Sequence, residues 1–313
     1  MFEVRRYSPA MAAEWNQFVA QSKNGTFLFD RAYMDYHQDR FTDHSLLIYR
    51  GRSLYALLPA NEQPDGLLVT HGGLTYGGLV MSARCSAEGV CAVFTAINAY
   101  LRTLSFRRVV YKAVPHIYHH LPAEEDLYAL TSICHARLTI RDISSAILAE
   151  PRLKFAESRR SGLRKAQAAG LMVAESEDYA AFWNVLNDNL SARYGIHPVH
   201  TAAELSLLHS RFPEQIRLWH VCDGETLLGG TVLFLTPRTL HVQYISATPQ
   251  GKAMGAIDLL FHHLISEVYC DYPVIDFGKS TVSSSADLNP QLIFQKEGFG
   301  ARAVCYDTYE WEL

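Results

Sequence analysis

The chain has 313 residues, 49% of them hydrophobic and 19% charged, with a formal net charge of −4. That profile suits a globular protein with material for two cores, and a near-neutral charge without long like-charge runs excludes a DNA-binding electrostatic surface. No apolar run reaches the length needed to span a bilayer; the longest candidate, Gly255 to Val268, is interrupted by Asp258, His262, His263 and Glu267.

The N-terminal stretch MFEVRRYSPAMAAEWNQF has neither an apolar h-region nor a small-residue cleavage site, so no signal peptide is read. The six cysteines, at 85, 91, 134, 222, 270 and 305, form no C-x-x-C pair. Free thiols in a reducing cytoplasm are the expectation, with neither a disulfide framework nor a metal site.

In chain order, the first half alternates helices and strands. Phe2–Arg6 reads as a strand, Pro9–Gln21 as a helix with proline at its first position, and Arg31–Gln38 as a second helical piece. Ser45–Tyr49 and Leu54–Pro59 read as strands across a turn, and Leu67–Thr70 continues the sheet. A long periodic helix over Ala87–Leu104 precedes the strand Val109–Ala113, the helix Glu124–Cys134 and the strand Thr139–Leu148.

The second half repeats the plan. Phe155–Ala169 reads as a basic amphipathic helix, Met172–Ala174 as a strand, and Tyr179–Tyr194 as a helix stopped by Gly195. Thr201 and Glu204 form a capping box, and Asp223–Gly224 turns a hairpin between Ile216–Cys222 and Thr226–Leu235. Leu240–Ser246 is a strand that enters a small-residue loop and a further helix. Val274–Phe277 comes next, Asn289 caps a helix with Pro290 at its first position, and Ala303–Glu312 is expected to close this second sheet.

The halves align: SLLIYRGRSLYALLPA with RLWHVCDGETLLGGTVLF, and LTYGGLVMS…RRVVYKAVP with QYISATPQG…YPVIDFGKS. The offset of roughly 165–170 residues is too long for a solenoid repeat and points to a duplicated domain. The expected boundary lies between 150 and 151, and the expected class is α/β (α+β), with a mixed, mostly antiparallel sheet flanked by helices in each half.

Meander, small-residue loop, helix and further strand resemble the acyl-CoA-binding core of the GNAT N-acyltransferases. The loop Lys252-Ala-Met-Gly255-Ala-Ile257 resembles that family's Gln/Arg-x-x-Gly-x-Gly/Ala pattern; Gly255 matches, Lys252 replaces Gln/Arg, and Ile257 departs from it. Two such domains, with SRRSGLRKAQAAGL between them and DFG…FQKEGFGARAV near the end, resemble Fem-type peptidoglycan aminoacyltransferases and Fem-like GNAT proteins. The long helical arm often carried by the aminoacyl-tRNA-using members is absent from the sequence.

The resemblance implies acetyl-CoA or another acyl-CoA as co-substrate. Its diphosphate would lie on the backbone N–H groups of Gln250, Gly251, Lys252, Ala253, Met254, Gly255 and Ala256, an expectation that a helix N-terminus supports. His200, beside a helix cap, is the candidate general base, in preference to His197. Tyr244 lies on the strand that, in that family, faces the thioester, and Asp276 interrupts the apolar strand VIDFGKS as either a structural acceptor or a catalytic group. Gln243, Ser280, Asn289 and Lys296 are candidate lining residues of the same cleft. In the first half, Tyr76, Lys112, His116, Tyr118 and His119 form a polar–aromatic set suited to a sugar or peptidoglycan-like acceptor; ordinary loop residues are the alternative.

These readings converge on an N-acyltransferase acting on an amine of a sugar nucleotide or cell-envelope precursor held between the halves. The alternatives are a tRNA-dependent aminoacyltransferase and a binding protein that keeps the fold without the chemistry.

Overall fold

The structure, a computed structural model, describes residues 2–195, 197–282 and 287–313. The chain divides into two units, Met1–Ile143 with Cys305–Leu313, and Ser144–Val304.

In the first unit, β1 (Phe2–Arg6), α1 (Ala12–Gln21) and the short α2 (Arg31–Met34) precede a run of strands: β2 (Thr42–Asp43), β3 (Leu46–Arg50), β4 (Ser53–Leu58), β5 (Asn61–Gln63), β6 (Leu67–Val69) and β7 (Val80–Met81). Helix α3 (Ala87–Thr103) then leads to β8 (Arg108–Lys112), α4 (Glu125–Ser132) and β9 (Arg137–Leu148). One antiparallel sheet has the order β1-β3-β4-β7. In the other, β6 runs parallel to β8 and antiparallel to β5, which pairs with β2.

The periodicity of α3 decides its packing. Val90, Val93, Phe94, Ile97 and Leu101 share one face and are all buried in the first core. Tyr111 of β8 is fully buried there and needs partners for its hydroxyl. It donates to Asp126 Oδ2 at 2.5 Å and accepts from Leu79 N at 2.7 Å.

In the second unit, α5 (Glu157–Ala168), β10 (Met172–Ser176), α6 (Tyr179–Tyr194) and α7 (Ala202–Arg211) lead into the meander β11 (Ile216–Asp223), β12 (Thr226–Leu235) and β13 (Thr239–Ala247). Next come α8 (Pro249–Met254), α9 (Ala256–His263), a π-helical turn at Leu264–Val268, β14 (Val274–Lys279), α10 (Pro290–Gly298) and β15 (Arg302–Glu312). The strands lie in the order β10-β11-β12-β13-β14, with residues 144–148 of β9 beyond β14. Only β13 and β14 are parallel; the other neighbours are antiparallel. The core forms on one face, where Trp219, Leu233, Leu240, Val242, Ile275 and Phe277 meet Ala256, Leu260, Phe261 and Leu264.

Local signals hold where they are self-contained. Thr201 accepts from Glu204 N while the Glu204 carboxylate accepts from Thr201 N, the expected box. Asn289 Oδ1 accepts from Leu292 N at 3.2 Å. The closing strand has a second neighbour that was not foreseen: in the strand order β15 lies between β9 and β8. Thr308–Glu312 pairs antiparallel with β8, and Trp311 is buried in the first unit's core, donating to Asn98 Oδ1 at 3.1 Å. Cys305–Leu313 accordingly belongs with Met1–Ile143, and the second unit is Ser144–Val304. Alternating apolar residues specify a strand but not its neighbour.

Truncating a fully packed tryptophan removes buried area and leaves a cavity. Trp311→Ala is expected to destabilise by about 3–5 kcal/mol, read as a lower urea midpoint, whereas Tyr128→Ala, at a 63%-exposed position, leaves the midpoint in place.

Candidate active site

Two features of the central strands of the second unit create the site. First, β12 and β13 keep register from Gly229↔Ala247 to Val232↔Tyr244, then shift to Leu233↔Val242, so that Gln243 is the extra residue of a β-bulge. Bulges bend a strand and re-aim its side chains. Second, β13 and β14 pair at Thr239↔Val274, Leu240↔Ile275 and His241↔Asp276, and no further pair joins them. Beyond His241 the two strands part.

Alternation then sorts the side chains. Leu240, Val242, Ile275 and Phe277 enter the core beneath α9, so His241 and Asp276 face the other way. On that opposite face His241 Nδ1 lies 2.7 Å from Asp276 Oδ2. Asp276 is fully buried, and its other oxygen accepts from Ser144 Oγ at 2.5 Å and Gly278 N at 3.2 Å. Both carboxylate oxygens are thus held, and the contact with Nδ1 orients the imidazole, as the carboxylate partner of a histidine does. The Nε2 lone pair is then the basic position. Gly278 has φ +72°, and a Cβ there would come 3.1 Å from His241 Cε1, so glycine lets the turn close over the imidazole.

Lys296 of α10 reaches the same turn. Its Nζ donates to Gly278 O at 2.7 Å, Lys279 O at 2.8 Å and Ser280 Oγ at 2.8 Å, and Asn289 N donates to Ser280 O at 2.8 Å. Asp276, Ser280, Asn289 and Lys296, separate in the sequence, are therefore brought together. Burial pushes the Lys296 ammonium down to about 8, against the opposing pull of Asp276.

His200 and Tyr244 also meet. Tyr244 OH lies 2.6 Å from His200 Nδ1 and accepts from His200 N at 3.3 Å. Trp183 of α6 stands against Tyr244 with ring centroids 5.1 Å apart, and its indole donates to His200 O at 3.0 Å. Burial raises the Tyr244 pKa. The contact at Nδ1 holds the Tyr244 phenol against His200. The side chain of Gln243, at the bulge, has its Oε1 buried without a hydrogen-bond partner.

The helix mouth is more closed than an open amide nest. Thr248 Oγ1 already accepts from Gly251 N at 3.0 Å. Gly251 is buried against Leu228 O, which would lie 2.3 Å from a Cβ. Gly255, at φ +78°, breaks α8 from α9, and a Cβ there would lie 2.2 Å from Gly162 O of α5. The approach that these glycines permit is made by the protein's own backbone. Arg159 Nη1 of α5 locks the contact by donating to Asp258 Oδ1 at 2.8 Å. Gln250, Lys252 and Ala253 are exposed on the outer side, with the Lys252 ammonium on Asn189 Oδ1 of α6; Met254 is half-buried and Ala256 buried.

Of the first-unit candidates, Tyr76 and Tyr118 pack against each other with ring centroids 4.5 Å apart. Tyr76 OH lies 3.1 Å from Thr26 Oγ1, and Tyr118 OH 3.0 Å from Tyr306 OH. His119 Nε2 faces Val114 O at 3.0 Å, and burial lowers its pKa to about 4. His116 is exposed. Lys112 Nζ donates to His71 O at 3.3 Å and to Leu74 O, bracing the loop between them.

Residues 154–282 match the family model of the acetyltransferase (GNAT) domain. The fold is the GNAT fold in tandem. Solved structures similar over the chain include FemX, at 10% identity, TM-score 0.69, and coverage of 99% of this chain and 97% of that one. L-PGS from Bacillus licheniformis is similar at 8% identity, TM-score 0.60, and coverage of 97% and 92%. A tandem GNAT protein from the clavulanic acid biosynthesis pathway is similar at 12% identity, TM-score 0.53, and coverage of 100% and 98%. No curated protein sequence matches. No helix among the described residues is long and apolar enough to cross a membrane, and no group of three or more His, Cys, Asp or Glu able to hold a metal occurs among them. The GNAT match supports acyl transfer as the class of chemistry. Sequence reasoning missed His241, although it sits two residues before Gln243 on the same strand; its partner depends on the register of a parallel pair.

Lys296 gives this GNAT unit a pH signature. Its ammonium is favoured in the unfolded chain, with an ordinary value of 10.5, and disfavoured in the fold at about 8. The folded protein therefore binds fewer protons between those limits, and stability rises with pH across that window by up to about 1.4 kcal/mol per pH unit. Urea unfolding from pH 8 to 10.5 reads this slope, and Lys296→Met removes its contribution.

Proposed function

We propose that the chain is an N-acyltransferase that moves an acyl group, foremost acetyl, from a coenzyme A thioester to an amine of a sugar nucleotide or cell-envelope precursor. The observation that carries this reading is the parting of β13 and β14 immediately after the His241–Asp276 couple. An extended thioester arm fits a slot between two strands whose ladder has ended, and a base stands at its inner end. When bound, the donor supplies an activated acyl carbonyl and a thiolate leaving group.

His241, oriented by Asp276, takes the proton of the attacking amine at Nε2 as general base. Asp276 stabilises the imidazolium, and Ser144 and Gly278 hold the carboxylate in place through its other oxygen. The bulge at Gln243 turns backbone N–H groups beside Tyr244 toward the slot, where they stabilise developing oxyanion charge. Tyr244, held by His200 and Trp183, forms one wall. Lys252 and Gln250, exposed on the outer side of α8, are the contacts available to the donor phosphates.

A second reading is favoured by the helix mouth. Gly251 N is already bonded to Thr248, and Gly162 O stands against Gly255. Both features suit a donor without a diphosphate at that position, such as an aminoacyl ester on tRNA; FemX and L-PGS are among the structures of similar fold. A thermal-shift series separates the two. Coenzyme A at 100-fold excess over its Kd stabilises by about 2.7 kcal/mol under the first reading and by nothing under the second, where aminoacyl-tRNA is consumed instead.

With a donor and an amine acceptor in hand, His241→Gln is expected to lower kcat by about 10²–10⁴ with little change in KM. His200→Gln is expected to cost less than about tenfold. Product release measured at several pH values checks this, and the reverse ranking assigns proton transfer to His200.

A further inference from the structure

One sheet of the first unit ends on an edge whose pattern is complementary to itself. Strand β1, Phe2–Arg6, stands at the end of the order β1-β3-β4-β7, and no strand pairs with its outer edge among the described residues. It meets β3 antiparallel and without a register shift, from Phe2↔Arg50 to Arg6↔Leu46. One position further on, Tyr7 N donates to Ser45 O at 2.8 Å. Backbone groups alternate in direction along an antiparallel strand, so those of Glu3 and Arg5 also turn toward β3, and the N–H and C=O groups of Phe2, Val4 and Arg6 turn outward. An edge of this kind is a template for another strand.

The side chains restrict what that strand can be. Glu3 and Arg5 share one face, are both exposed, and bond to each other at 2.7 and 2.9 Å. The Arg5 guanidinium is held 4.7 Å from the centre of the Tyr49 ring. A second copy of β1, running antiparallel about a two-fold axis through Val4, sets Glu3 of each copy opposite Arg5 of the other. The same axis places the outward backbone groups of Val4 against their own equivalents and those of Phe2 against Arg6, so the hydrogen-bonding phase agrees with the charge pattern. Moving the axis to Glu3 or to Arg5 sets like charges opposite each other.

The opposite face of the edge has room for the pairing. Phe2 and Val4, half-buried, pack on the first core, and a groove of about 680 Å³ lies between them and the outer side of α3. The solvent side of a helix ordinarily carries long polar side chains. Here Ala92, Thr95, Ala96 and Ala99 line the groove, and its two charged residues, Glu88 and Arg50, are of opposite sign. A second copy can therefore bring its own Val4 alongside without meeting a bulky wall. We propose that the first unit is a self-association surface, on which β1 of two copies pairs antiparallel about Val4 and joins their sheets into one. The partner is a second copy of this chain because the order Glu3-Val4-Arg5 is matched by its own reverse. The surface is independent of acyl transfer and survives the failure of that reading.

The test is sedimentation velocity at rising concentration on the full chain, free of added N-terminal residues. A monomer–dimer equilibrium is expected. Glu3→Arg and Arg5→Glu should each weaken self-association by about tenfold, since attractive pairs become repulsive at both ends of the axis. An equimolar mixture of these two variants should regain the wild-type affinity, as should the double variant, because opposite signs face each other again; only folded variants can do so. Val4→Pro removes an outward N–H without touching the bonds to β3, and proline is accepted on an edge strand, so it should weaken dimerisation at least as much while leaving the urea midpoint of the monomer in place. A wild type still monomeric at about 1 mM, single variants that associate as tightly as the wild type, or a mixture no tighter than its components would each overturn the proposal.

Discussion

The second unit is organised around one buried carboxylate. Asp276 sits, fully buried, in a strand that is otherwise apolar. Such a group is tolerable only if neighbours donate to it, and the fold supplies Ser144 from β9, the Gly278 amide from the adjoining turn, and His241 from the adjacent parallel strand. These donors come from three separate parts of the chain, so the strand order β13-β14-β9 and the register between those strands are all needed to satisfy one side chain. Losing any one donor leaves a charge short of a partner. The turn after Asp276 is in turn tied down by Lys296, which caps Gly278 O and Lys279 O. The imidazole orientation is therefore set by the packing of the whole sheet, which is the rigidity a base needs.

What was legible in the sequence was what is decided locally. The Thr201–Glu204 box, the Asn289 cap and the Asp223–Gly224 hairpin each depend on residues within a few positions of one another, and each is present. The tandem plan was legible because strand, turn and helix recur in step. The long-range partners were not. His241 and Asp276 lie 35 residues apart, and Ser144 lies 132 residues from Asp276. Nothing in the intervening residues states that two strands will run parallel in that register. Gly255 shows the same boundary from the other side: its small size correctly announced a close backbone approach, but the approaching group is Gly162 of α5. The last strand, correctly read as a strand, found its neighbour in the first unit because Trp311 is buried against Phe94 and Tyr111 there.

Comparing the two units explains why the sequence repeat does not produce two equivalent sites. Each contains a parallel pair joined through a helix: β6 with β8 through α3, and β13 with β14 through α9. Each pair shows three partners, Leu67–Val69 with Arg108–Val110 in the first unit and Thr239–His241 with Val274–Asp276 in the second. Past the third partner the units diverge. In the first unit the chain folds back at once, with Thr70 N on Val110 O, the Thr70 hydroxyl accepting from Lys112 N, Gly77 N on Lys112 O and Leu79 N on Tyr111 OH. The backbone itself stitches the gap, and Gly77 is needed because a Cβ would fall 1.9 Å from Thr70 O. In the second unit β13 runs on through the bulge to Ala247 and keeps its ladder with β12, while β14 receives no continuing partner from β13.

The same ancestral-looking junction thus has two outcomes, and the difference comes from where backbone hydrogen bonds are satisfied. A sealed junction cannot admit an extended ligand, but it buttresses a loop firmly enough to hold His71 in a strained conformation beside His37. An unsealed junction leaves main-chain groups on both strand edges unpaired with each other, to be met by water, side chains or a further extended group. Under the proposed function, the extended arm of the acyl donor would be that group. Under the proposed acyl transfer the reacting groups would belong to the second unit, an asymmetry that the chain's repeat pattern alone does not reveal.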